Sequence, residues 1–103
     1  MKITQIETFL LKDTLKEAFF FSQWAYKERQ ICIVKITTDT GLHGWGEGYG
    51  PATVLEEGIQ LLKPLLIGQN PLENEKLWFT MYRKTLDFAR RGILVASISA
   101  LDI

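Results

Sequence analysis

Five of the chain's eight glycines fall within ten positions, in the run GLHGWGEGYG from Gly41 to Gly50. From Gly44 onward they recur at every second residue: Gly44, Gly46, Gly48 and Gly50. That spacing never produces GxGxxG, and no GK[ST] follows it, so it is not a nucleotide-phosphate loop. Period two is the period of a strand. On an extended chain Leu42, Gly44, Gly46 and Gly48 share one face, while His43, Trp45, Glu47 and Tyr49 line the other. A nearly bare face lets a neighbouring element pack directly on the backbone. The early glycines therefore predict a tight turn and a close-packed strand, and Gly48 to Pro51 is expected to be a mobile loop.

The rest of the chain supplies partners for that strand. Residues 3–12 are rich in β-branched and aromatic types and read as a first strand. Gln30 to Thr38 (QICIVKITT) reads as a second, bounded by the turn signal Asp39-Thr40-Gly41, so strands two and three form a hairpin with Gly41 able to take positive φ. The intervening TLKEAFFFSQWAYKER is too long for a tight turn and is expected to be a long loop. Thr53 with Glu56 fits a capping box, followed by Leu55, Ile59, Leu62 and Leu66 on one helical face. Pro64 should weaken that helix near its end and Gly68 should stop it. In NPLE, Asn70 is the expected N-cap of a second helix from Pro71 to about Phe88, with Trp78, Met81, Tyr82 and Leu86 on its apolar side. The last stretch, GILVASISALDI, is apolar almost all round and should be buried. It reaches Ile103 without a stop signal, as a helix that continues into something larger would.

Composition narrows the function classes. With 103 residues and 12 basic against 12 acidic side chains, the chain is one domain's worth and shows no electrostatic signature of nucleic-acid or anionic-membrane binding. Cys32 is the only cysteine; between Ile31 and Ile33 it reads as a buried structural thiol. No run reaches the roughly 18 apolar residues of a membrane span, and the N-terminus lacks a signal-peptide core. A cytoplasmic location is expected.

Taken in order, KITQIETFLL, TTDTGLHGWGEGYGP, LKPLLIGQNPLENEKLW and RRGILVASISALDI resemble the N-terminal capping domain of the enolase superfamily, in its mandelate racemase and muconate lactonizing group. The resemblance covers the whole chain. It implies an α+β fold, a three-stranded antiparallel meander followed by three helices, with residues 1–90 as the capping domain and 91–103 as the start of a connection into a (β/α) barrel. Members of the group abstract the proton alpha to a substrate carboxylate and stabilise the resulting enediolate on Mg²⁺ held by the barrel. None of those barrel strands is in this sequence, so no catalytic residue and no metal ligand is expected here, and the chain alone is expected to be inactive. The family's cap closes over the barrel mouth with two loops, which correspond to about Leu15–Glu28 and Gly48–Thr53.

The resemblance points to Ser22, Gln23, Trp24, Tyr26, Gly48 and Tyr49 as candidate substrate-binding residues. Trp24 and Tyr26 each offer an apolar body with a polar tip. Ser22 and Gln23 could hydrogen-bond a polyol chain or simply face water. Phe19, Phe20 and Phe21 could be pocket wall, though such a run usually anchors a loop to its core, and Arg29 could bind a carboxylate or form a structural ion pair. His43, the only histidine, has no nucleophile or metal-ligand spacing around it and reads as a surface residue. Glu47 is one carboxylate without partners and reads as structural rather than as an Mg²⁺ ligand.

The polar and aromatic mixture FSQWAYKER points to a hydroxylated acid, so dehydration of a sugar acid is favoured over racemisation or cycloisomerisation. The expected partners are the chain's own barrel domain, a small carboxylate substrate and further copies in a homo-oligomer, with neither nucleic acid nor membrane. The alternative from another class is a freestanding α+β binding module.

Overall fold

The structure is a computed structural model; it describes residues 1–21, 24–85 and 93–103, with side chains described for 1–12, 30–85 and 94–103. Six elements follow in order: β1 (Ile3–Phe21), β2 (Trp24–Thr38), β3 (His43–Gly48), α1 (Ala52–Leu66), α2 (Asn74–Lys84) and α3 (Ile93–Asp102). The strands form one antiparallel meander in the order β1-β2-β3; α1 and α3 pack on it, and α2 packs against those two helices. This is the α+β arrangement expected from the sequence.

The long loop expected between the first two strands is instead strand. β1 and β2 continue pairing to Phe21↔Trp24, with a register shift between Thr14↔Glu28 and Phe19↔Tyr26. A two-stranded ladder is held by backbone hydrogen bonds that any proline-free segment can make, so it imposes no period-two apolar pattern. The register shift further scrambles whatever alternation there is. Composition alone therefore read this segment as a loop.

At the other end of β2 the sequence reading holds. Gly41 has φ 87°, and the turn closes with Thr38 N–H donating to Leu42 O at 2.9 Å. Gly68 has φ 85° and ends the first helix region as expected. Its N–H donates to Ile3 O, and Ile3 N–H donates to Gln69 O, both at 2.8 Å. The helix exit is thereby stitched to the start of β1.

Both expected helix caps are displaced. α1 has Pro51 at its N-cap without a side-chain cap, which puts Thr53 inside the first turn, where the Thr53–Glu56 box cannot form. Pro51 carries φ −61°, already helical in φ, so the helix starts earlier than the box required. α2 begins at Asn74, after Glu73, because Asn70 is used in a turn: its Oδ1 accepts from Leu72 N–H at 3.0 Å and its carbonyl from Glu73 N–H at 3.1 Å. Glu73 pairs with Lys76 at 3.1 Å rather than reaching back. Leu86 and the expected continuation to Phe88 lie outside the described residues.

The core lies between the sheet and the helices. Ile6, Cys32 and Val34 from the sheet meet Leu55, Ile59, Leu62 and Leu66, the predicted face of α1, and all are buried. Burying each large side chain contributes about 1.5–3 kcal/mol. Met81 is buried and Trp78 and Tyr82 pack beside it, their rings stacked with centroids 5.2 Å apart. Leu77, which lies off the apolar side expected for this helix, is also buried.

α3 enters the same core through Ser97, Ile98, Ala100 and Leu101, and small residues let it do so. A Cβ on Gly46 would overlap the Ala100 carbonyl, and one on Gly58 of α1 would overlap Ser97. Ser97 Oγ donates to Leu55 O at 3.2 Å, which satisfies a hydroxyl that would otherwise be buried at a cost. The bare strand face is therefore packed upon, but not along its whole length: nothing lies within 4 Å of a Cβ on Gly44.

Candidate functional site

The β1–β2 hairpin places Trp24 and Tyr26 at its far end, where their backbones pair with Phe21 and Phe19. Ser22 and Gln23, the tip itself, lie outside the described residues. Arg29 pairs through its backbone with Asp13. The first candidate segment is thus a ladder carrying its candidates on the distal part, not a loose loop.

The second segment is shorter than the loop expected from Gly48 to Thr53. β3 ends at Gly48 and α1 begins at Ala52, leaving three connecting residues. Gly48 is buried: an added Cβ would lie 3.1 and 3.2 Å from the Leu55 methyls and 3.4 Å from Ala100 Cβ. It fits under Leu55 because it has no side chain. Gly50 has φ 131°, a value that side-chain-bearing residues rarely adopt, and Pro51 is rigid. Held between these points, Tyr49 is 94% exposed.

The two segments approach each other at the hairpin's base. A cavity of about 140 Å³ is lined by Leu10, Leu11, Lys12 and Gln30 from the ladder and by Ala52 and Thr53 from the start of α1. Lys12 and Gln30 face each other in register. Sequence reasoning did not single out these two, because each sits at the edge of a predicted strand where polar residues are ordinary. A larger cavity, about 260 Å³, opens beside Gly44 and the end of α3, with Leu66, Leu77, Met81 and Leu101 in its wall. It is predominantly apolar.

Among the described residues no group of three or more His, Cys, Asp or Glu comes together to hold a metal ion. His43 is exposed and meets Trp45 edge-on at 6.2 Å. Glu47 is exposed on the same strand. Cys32 is fully buried, and desolvation, with a smaller contribution from the Glu56 carboxylate, pushes its thiol pKa up from 9.0; a thiol so shielded stays protonated and inert. Among the described residues no helix is long and apolar enough to cross a membrane.

A three-stranded antiparallel meander followed by three helices is the fold of the enolase superfamily's N-terminal capping domain. The solved 3,6-anhydro-D-galactonate cycloisomerase from Zobellia galactanivorans superposes with a TM-score of 0.88 at 45% identity, covering 100% of this chain and 26% of that one. The sequence profile of "Mandelate racemase / muconate lactonizing enzyme, N-terminal domain" matches residues 5–103, and the chain belongs to that family. It is 36% identical over 103 residues to the D-galactarolactone cycloisomerase of Agrobacterium fabrum, covering 100% of this chain and 27% of the relative. It is 37% identical over 90 residues to the arabinonate dehydratase of Saccharolobus solfataricus, covering 84% of this chain and 24% of the relative. The chain thus spans about a quarter of the length of these relatives.

Proposed function

We propose that this chain is the substrate-capping domain of an enzyme that abstracts the proton alpha to the carboxylate of a small hydroxylated acid, with sugar-acid dehydration as the favoured outcome. Cycloisomerisation is the second reading, favoured by the names of the relatives from Agrobacterium fabrum and Zobellia galactanivorans. The observation that carries the proposal is that the hairpin end, which bears Trp24 and Tyr26, and the exposed Tyr49 lie toward the same end of the sheet in a chain that matches the capping-domain family over residues 5–103. Such a fold can shape and close a pocket, and it needs a second domain to react what it encloses.

The chemistry of these residues suits a polyol acid. An aromatic ring covers the C–H face of a hydroxylated chain while a phenol or indole tip hydrogen-bonds to it. Lys12, Gln30 and Thr53 bring donors to the hairpin's base. Mg²⁺, when bound, stabilises the negative charge that develops as the proton leaves. The described residues do not fit a site for it, so the reading assigns the metal and the bases to the barrel domain and to this chain only orientation, closure and exclusion of water. The 103-residue chain with added Mg²⁺ is expected to turn over no aldonate, aldarate or sugar lactone, whereas the full-length polypeptide turns over at least one. Turnover proportional to the purified 103-residue chain, or a full-length polypeptide inert toward every acid of these classes, overturns the reading.

A further inference from the structure

We draw no further inference here: the strongest candidate, the predominantly apolar cavity beside Gly44 at the end of α3, carries none because nothing in the structure shows what covers it.

Discussion

Replacing Gly46 by alanine should destabilise this domain more than replacing any other glycine of the alternating run. The new methyl would overlap the Ala100 carbonyl oxygen, with Ala100 C at 3.1 Å and Val34 Cγ1 at 3.2 Å behind it. The principal obstacle is backbone within α3, so no side-chain rotation relieves it. Either α3 lifts from β3, opening the contacts of Ile98, Ala100 and Leu101, or the sheet bends. Overpacking of this kind costs about 1–3 kcal/mol, and the upper end applies where the obstructing atom belongs to a helix backbone. At about 4–8 °C per kcal/mol for a domain of this size, the melting temperature should fall by roughly 10–20 °C. Gly44→Ala is the internal control: the same strand and the same substitution, but nothing within 4 Å, so only the small gain of strand propensity remains. Thermal unfolding followed by circular dichroism compares the two. If Gly46→Ala melts within about 2 °C of Gly44→Ala, α3 does not pack on the strand as described, and close packing is not what the glycine run serves.

Leu55→Ala, which removes the fully buried side chain that closes over Gly48, should cost about 2–5 kcal/mol in denaturant unfolding. Ser97→Ala removes the 3.2 Å bond to Leu55 O and should cost only about 0.5–1.5 kcal/mol, because that carbonyl also serves the helix. Burial raises the Cys32 thiol pKa above 9.0, so the folded state holds its proton where the unfolded chain loses it. The thiol's contribution to stability is therefore full below pH 9.0 and is lost as pH rises further, and alkylation of Cys32 should proceed only at the rate of unfolding. A thiol that alkylates at the rate of a free peptide, or stability that rises above that pH in wild type but not in Cys32→Ala, would contradict its placement.

How far the sequence disclosed this outcome depended on which force holds each element. The α1 face from Leu55 to Leu66, the β2–β3 hairpin, buried Cys32 and the positive-φ positions at Gly41 and Gly68 were all legible. Each is dictated by side-chain periodicity or by a backbone angle only glycine accepts readily. The outer half of the β1–β2 ladder was not legible, since backbone pairing leaves no side-chain signature. The helix starts were misplaced because capping-box spacing at Thr53 and Asn70 competes with turns that use the same residues. Near the candidate residues, the alternation with the glycines placed Tyr49 opposite the bare face, where it is exposed, but it did not say that Gly48 is covered by Leu55, because a glycine's sequence signal does not tell a free backbone from a packed one.

Capping meets its sharpest test in the full-length polypeptide, where kcat/KM is measured for a panel of aldonates, aldarates and sugar lactones, alongside Mg²⁺ affinity and thermal unfolding, for Trp24→Ala, Tyr26→Ala and Tyr49→Ala. Each removes a side chain whose burial on closure contributes roughly 1.5–3 kcal/mol. Closure over substrate predicts a loss of about ten- to hundredfold in kcat/KM, unequal among substrates, with Mg²⁺ affinity unchanged. For Tyr49, 94% exposed in this domain, the melting temperature should also be unchanged. Equal substrate ranking in all three variants, with any loss explained by lower stability, would mean that these residues do not close over substrate.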